Sequence, residues 1–281
     1  MMRRIIRWSP ALALLALCAA AVAHAQGEGA AVEKKTTPGA VRRMPNGVPD
    51  LQGHYVHGAG GANYGLEKRE AAPLVSAGRG VIVDPPDGLL PAQPWAKAEA
   101  ASRSLPERGY DDPTAHCFAA GVPRSLYVPS PFAFVQTPEY VVMVFERMSW
   151  RIIPLDRRPH LPDGIRLWQG DSVGHWDGDT LVVESKNFNG KTWLNQAGEV
   201  VTHALQVVER ITPVNSYQLT YRTTVTDPLA YTRPFTIEFP LNREEGGELL
   251  EVACLEDDQD LPHLKQLKDA AIEAGTLKET K

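Results

Sequence analysis

The chain has 281 residues, of which 43% are apolar and 22% are charged, and its formal net charge is −5. This apolar content can form a sizeable core and excludes an intrinsically disordered chain. A net negative charge offers no basic field to nucleic acid, so we expect no nucleic-acid partner.

The first 25 residues have the features of an export signal. Three arginines precede an apolar run over residues 11–23, and Ala23-His24-Ala25 follows as a small-residue cleavage site. The run is short for a bilayer span. We therefore expect a signal peptide at 1–25, a flexible lead-in at 26–44 and a single domain at 45–281. The mature protein is expected in the periplasm or secreted, without stable membrane insertion.

Cleavage after residue 25 removes Cys18 and three arginines, so the mature charge is 26 − 34 = −8. It leaves Cys117 and Cys254 as a pair. In an oxidising compartment an even pair is typical of a disulfide bond. A catalytic cysteine and metal binding are the alternatives, although the CxxC spacing of many metal sites is missing.

Proline content separates the first half of the mature chain from the second. Residues 38–162 contain 17 of the 23 prolines, which predicts irregular or short extended segments. Within this half, residues 94–104 contain four alanines and are the candidate helix.

From residue 139 onward the apolar side chains recur with a period of two, which predicts antiparallel strands. A hairpin turning at Met148-Ser149 would place Glu146 opposite Arg151, and Asp177-Gly178 is typical of a second hairpin tip. The remaining elements are a hairpin of residues 205–212 and 217–226, strands at 231–241 and 248–256, and a helix at 261–274.

Seven or eight antiparallel strands joined by short turns leave two open edges, and closure into a barrel removes both. We expect a mainly β fold, a single antiparallel lipocalin-like β-barrel with an irregular N-terminal half and a C-terminal helix. A two-sheet sandwich is the alternative. A barrel of this size can hold one small ligand.

Five segments are familiar in combination: residues 49–55, Cys117 with 121–124, 151–160, 170–183 and 231–234. Together they resemble a family of exported, mostly uncharacterised bacterial proteins, which implies export and a barrel rather than a mechanism. Gly53-His54-Tyr55 also resembles the Gly-x-Trp of lipocalin-like barrels, with Tyr in place of Trp. Such barrels include binding proteins and the cofactor-free phenolic acid decarboxylases.

Ionisable residues that interrupt apolar strands are the first site candidates. An inward pair of Glu146 and Arg151 would hold a substrate carboxylate on Arg151 and offer Glu146 for proton transfer. The alternative is a surface cross-strand pair. Tyr231 and Arg233 are expected to share a strand face, with Tyr231 as a donor and Arg233 as a carboxylate anchor, or to pack at the barrel rim.

His160 in a loop is a candidate general base, because the histidine pKa lies near neutrality. His175 and His203 are weaker candidates. Asp171 is either a carboxylate in the substrate site or a turn cap. Three aspartates near the C-terminus lack the spacing of a calcium loop, and we expect no metal.

We identify no GxSxG nucleophile elbow, no HExxH, no Walker A motif and no GxGxxG after a strand, and we expect no cofactor. The sequence therefore favours a periplasmic, cofactor-independent lyase or isomerase acting on a small aromatic or apolar carboxylic acid. The alternative is a lipocalin-like binding protein for an apolar small molecule. A third reading is polymer recognition by a surface of Trp150, Trp168, Trp176 and Trp193.

Overall fold

The structure is a computed structural model, and it describes residues 39–71, 77–147, 149–256 and 258–278. The predicted signal peptide and residues 26–38 of the predicted lead-in lie outside the described residues. None of the helices in the described ranges is long and apolar enough to cross a membrane.

Within these ranges, ten strands form one antiparallel sheet. They are β1 (Gly53–His57), β2 (Ile82–Asp84), β3 (Phe132–Gln136), β4 (Tyr140–Phe145), β5 (Ser149–Pro154), β6 (Asp171–Asp177), β7 (Thr180–Lys186), β8 (Gln206–Pro213), β9 (Gln218–Thr226) and β10 (Phe235–Glu244).

Nine strands follow each other around a nearly closed barrel in the order β5-β4-β3-β1-β10-β9-β8-β7-β6, while β2 pairs with β10 from outside this path. Every pairing in the path is antiparallel, so an odd number of strands makes the two end strands, β5 and β6, run in the same direction. The antiparallel ladder therefore stops at a seam between β5 and β6. The fold is the predicted mainly β barrel.

Three short turns and three long connections lie at opposite ends of the barrel, and the short β4–β5 turn lies at the same end as the long connections. The alternating strand directions place the short turns at 137–139, 178–179 and 214–217 at one end. The long connections at 58–131, 187–205 and 227–234 lie at the other end, which we call the capped end. The cap contains helix α1 (Pro94–Arg103) and 3-10 helices at Ala62–Tyr64, Pro106–Asp111, Pro113–His116 and Arg124–Leu126.

The C-terminal part returns to the capped end. After β10, residues 245–256 form no strand, and helix α2 (Asp260–Glu273) packs against the 3-10 helix at Pro106–Asp111. The predicted disulfide is confirmed, because Cys117 and Cys254 are bonded and join this segment to the cap. Both predicted helices are confirmed within one residue of their ends.

Three strand predictions are wrong in detail. The predicted strand at 248–256 is irregular, and the strand expected from residue 231 begins only at Phe235. The first hairpin turns earlier than predicted, because Phe145 pairs with Ser149 and Met143 lies opposite Arg151. Residue 148 of that turn lies outside the described residues.

The core is the barrel interior. Alternate side chains of β8, β9 and β10 point inward, as the period of two predicts. Aromatic rings fill much of the space: Tyr55 meets Phe134 edge to face at 5.3 Å, and Tyr221 lies 5.0 Å from Phe239. The interior is therefore largely a packed core.

Candidate functional site

Glu146 and Arg151, the first predicted pair, are not brought together. The shifted hairpin register leaves Glu146 at the turn, half-buried, where its Oε1 accepts a hydrogen bond from the backbone N–H of Leu250. Arg151 points into the barrel and is buried. The prediction that the two residues face each other is wrong, because Met143 occupies the position opposite Arg151.

Arg151 instead pairs with Glu209, which lies on β8. Its guanidinium contacts both carboxylate oxygens, with Nη1 donating to Oε1 at 2.9 Å and Nη2 donating to Oε2. Nε donates to Ser172 at 2.9 Å and Nη2 to Ser185 at 2.8 Å. One side chain of β5 is thus bonded to β6, β7 and β8.

The carboxylate of Glu209 has a third partner, because the hydroxyl of Tyr221 donates to its Oε1 at 2.9 Å. Burial and this neighbouring negative charge raise the pKa of Tyr221 well above its usual value, so the phenol stays protonated. The buried charges are therefore paired and hydrogen-bonded. The bidentate face of Arg151 is engaged by a protein carboxylate, which leaves this arginine poorly suited to anchor a substrate.

Tyr231 and Arg233 precede β10 and have different environments. Tyr231 is buried and donates its hydroxyl hydrogen to the carbonyl of Val200 at 2.8 Å. Arg233 is exposed and forms a bidentate ion pair with Asp84. Both residues have protein partners, and the shared strand face is not formed.

His160 and Asp171 are brought together by the connection between β5 and β6. The ring Nδ1 of His160 lies 2.7 Å from Oδ2 of Asp171, which also accepts the backbone N–H of Leu161 at 2.9 Å. Both side chains are largely buried. Asp171 therefore holds the imidazole in one orientation. In the neutral tautomer whose Nδ1–H donates to Asp171, Nε2 is the nitrogen that can accept a proton.

The four tryptophans of the polymer-recognition hypothesis do not form one surface. Trp193 is buried, and Trp176 packs against the core. Trp150 and Trp168 flank a groove of about 370 Å³ beside the β5–β6 seam.

A cleft of about 800 Å³ lies at the capped end, next to the β4–β5 turn. One wall consists of Phe145 from the barrel with Phe118 and Val128 from the cap. The opposite wall is helix α2, through Leu261, Leu264 and Leu267, which recur at helical spacing along one face. The disulfide forms part of the lining and holds residues 252–254 against the cleft.

Charged groups of both signs line the cleft, namely Arg103, Arg147, Asp112, Glu256, Asp258 and Asp260. Arg103 pairs with Glu99 at 2.8 Å and lies over the ring of Trp193, and Asp112 pairs with the buried Arg124. Arg147 is exposed, and its Nε donates a hydrogen bond to Ser130 Oγ at 3.2 Å. Arg147 has no ion pair with a carboxylate of the described residues, and an arginine of this kind at a cleft with apolar walls can receive the head group of an acid.

No cluster of three or more metal-ligating side chains occurs in the described part of the chain. His175 lies on β6, and His203 lies in the connection before β8. Neither residue joins the cleft lining.

Two features were missed from the sequence, although signals for them exist. Glu209 interrupts the apolar positions Val207 and Ile211 on one strand face, which is the same signal that selected Arg151. The leucines of α2 recur at i, i+3 and i+6, which marks an apolar helix face. The pattern did not reveal that this face would line a cleft.

Comparison with protein-family models, with curated proteins and with solved structures gives no match. The resemblance to exported bacterial proteins therefore stays a prediction from its motifs. The barrel that the resemblance implies is present and is compatible with a lipocalin-like fold.

Proposed function

We propose that this protein binds a small apolar molecule in the cleft at the capped end of the barrel. The observation that carries this proposal is an 800 Å³ concavity between the barrel and α2 with aromatic and leucine walls. Ligand sites typically have volumes of about 300–1,000 Å³, mostly apolar walls and a few polar groups. Arg147 favours a ligand with a carboxylate, since it provides a positive charge at the cleft.

Export to the periplasm is part of the same proposal. The disulfide between Cys117 and Cys254 supports it, because such bonds persist in oxidising compartments. A ligand carrier in that compartment would work without nucleotide or nicotinamide cofactors.

Titration of the purified protein with a medium-chain fatty acid and with its amide tests the proposed site. Leu264→Glu places a charge on the apolar wall, and we expect it to weaken binding of both probes at least tenfold. Leu229→Glu is the matched control, because Leu229 is exposed and does not line the cleft. Arg147→Gln should weaken binding of the acid but not of the amide. Equal affinities in wild type and Leu264→Glu would reject the cleft as the site.

A cofactor-independent lyase or isomerase acting on a small aromatic or apolar acid is the second proposal, and one observation favours it. The contact between His160 and Asp171 gives an oriented imidazole, and in the tautomer whose Nδ1–H donates to Asp171 its Nε2 can accept a proton. Such a group can remove a proton from carbon or oxygen of a bound substrate and return it elsewhere.

Incubation of the protein with an extract of small metabolites, followed by mass spectrometry, separates the two proposals. A carrier retains a ligand of unchanged mass, whereas an enzyme produces a changed one. His160→Gln should abolish turnover, with His175→Gln as the control on β6. Turnover that survives both His160→Gln and Asp171→Asn would exclude the pair from the chemistry.

A further inference from the structure

One sector of the barrel wall is apolar on its outside as well as its inside. In β4, Val141, Met143 and Phe145 are buried in the core, while the alternate residues Val142 and Val144 face outward. Strands that are apolar on both faces are typical of strands covered on both sides. Val142 and Val144 are half-buried, so this strand has the sequence of a covered strand although part of its outer side remains accessible.

The neighbouring strands extend this surface. The pairing places Trp150 of β5 beside Val144, Ile152 beside Val142, and Val135 of β3 on the other side of Val142. Trp150 is 67% exposed and Ile152 is 53% exposed. We call these five residues, Val135, Val142, Val144, Trp150 and Ile152, the outer apolar face.

The rest of the outer wall differs in composition. The outward positions of β9 are all polar, as is typical of a strand face in contact with water: Gln218, Thr220, Arg222 and Thr224. The apolar face is thus a local feature rather than a property of the whole barrel.

We propose that the outer apolar face binds the same face of a second copy of this chain, forming a two-fold symmetric dimer. The exposed fractions, with Tyr140 and Leu167 at the margins, correspond to roughly 500 Å² of apolar surface, at the upper end of patches on monomers. A standard interface buries about 800 Å² per partner, of which about 60% is apolar. The apolar area therefore matches what one side of a stable dimer requires.

The charges at the ends of β4 and β5 favour a second copy over a lipid surface. Acidic and basic residues balance there, with Glu139, Glu146 and Asp156 against Arg147, Arg157 and Arg158. A balanced margin gives no attraction to anionic lipid headgroups, which stable membrane docking commonly needs. This charge distribution is compatible with a second copy of the chain, because the centre of the face is uncharged and each margin carries both signs.

Sedimentation velocity of the purified mature chain tests the dimer between about 1 and about 100 µM, a range that detects micromolar dissociation constants. The wild type should sediment as a dimer at the higher concentrations. Trp150→Glu combined with Ile152→Glu should weaken dimerisation at least about thirtyfold, since a central tryptophan is a typical interface hot spot. Val208→Glu is the control, because Val208 is an exposed valine on the outside of β8.

A milder pair, Trp150→Ser with Ile152→Thr, serves if the charged variant does not fold, and it should also be monomeric. A wild type that stays monomeric throughout, or a dimer that both face variants retain, overturns the proposal. Vesicles of phosphatidylcholine and phosphatidylglycerol provide the alternative partner. A monomer that binds them through Trp150 would show that the face docks on lipid and would equally overturn the dimer.

Discussion

Among single residues, Arg151 and Glu209 have the largest expected effect on stability. Both side chains are almost completely buried, and each satisfies the charge of the other. Removal of one partner from such a pair typically costs about 3–5 kcal/mol, because the other charge stays buried without compensation. Replacement of both partners costs less, since no unpaired charge remains.

We therefore expect Arg151→Met to lower the free energy of unfolding by about 3–5 kcal/mol in urea denaturation. Arg151→Met combined with Glu209→Gln should recover part of this loss. Arg233→Met removes an exposed pair and should change stability by less than about 1 kcal/mol. A loss below about 1 kcal/mol for Arg151→Met would contradict a structural role for the pair.

A second residue, Glu199 in the cap, links stability to pH. Burial raises its pKa to about 7; the hydrogen bond from Asn195, at 2.6 Å, acts in the opposite direction, and the negative charge of Glu67 adds to the rise. The folded state therefore binds a proton more tightly than the unfolded state. The stabilisation is complete below the ordinary pKa of a glutamate and is lost as pH rises through about 7.

Comparison of wild type with Glu199→Gln at pH 5 and pH 8 measures this effect. We expect similar stabilities at pH 5 and a wild type that is less stable than the variant at pH 8, by about 2 kcal/mol. Glu245→Gln, at an exposed position, should show no such difference. If the stability difference between wild type and Glu199→Gln were the same at both pH values, the raised pKa of Glu199 would be refuted.

Among the elements, the β5–β6 seam explains why a buried ion pair is present at all. The two end strands run in the same direction and share no backbone ladder, so side chains connect them at the seam. Arg151 supplies this connection to Ser172, and Gly174 of β6 leaves room for Ile153 and Leu155, since a Cβ there would lie 2.8 Å from Ile153. At the β5–β6 seam, side-chain contacts therefore close the barrel in place of backbone hydrogen bonds.

The C-terminal segment is a second element whose position depends on one bond. Residues 245–256 form no strand, and Cys254 joins them to the cap beside the proposed ligand cleft. Without the bond, the segment and α2 are held by weaker contacts, so both stability and the shape of the cleft should suffer.

We expect replacement of Cys117 and Cys254 by serine to lower stability by about 2–5 kcal/mol, because the bond closes a long loop. The same variant should bind the fatty-acid probe at least several-fold more weakly. Thermal unfolding and titration of one preparation measure both effects. Unchanged affinity with reduced stability would show that the cleft forms independently of the disulfide.

Across the whole molecule, backbone pairing is uneven. The run from β10 through β7 is paired on both sides, whereas β5 and β6 each have one unpaired edge at the seam. Backbone amides with ladder partners and buried surroundings exchange slowest, and edges open first.

Hydrogen exchange of the intact protein should therefore be slowest in β8 and β9 and faster in β5 and β6. A peptide-level time course by mass spectrometry measures this order. Faster exchange of β5 in the Trp150→Glu, Ile152→Glu variant than in the wild type would agree with the proposed dimer. Uniform protection around the barrel would show that the seam is as tightly closed as the ladders.

Periodicity alone determined most of the architecture. The inward face of β9, the tip at Gly178 and both helices follow from local patterns, because strands and helices have fixed side-chain periods and turns have specific residue requirements. The cysteine count similarly predicted the disulfide. The strand, turn and helix patterns depend on residues within a few positions of each other, whereas the disulfide, between cysteines 137 positions apart, followed from their number and the expected compartment.

The partners of the charged residues were decided only by the tertiary structure. A shift of the first hairpin by a few residues separated Glu146 from Arg151, and Arg151 met a glutamate 58 positions away. Likewise, His160 and Asp171 meet through a connection whose path has no periodic signal, and the cleft forms where α2 returns to the cap. Such contacts depend on strand register and chain path, which many residues determine jointly, so no local pattern contains them.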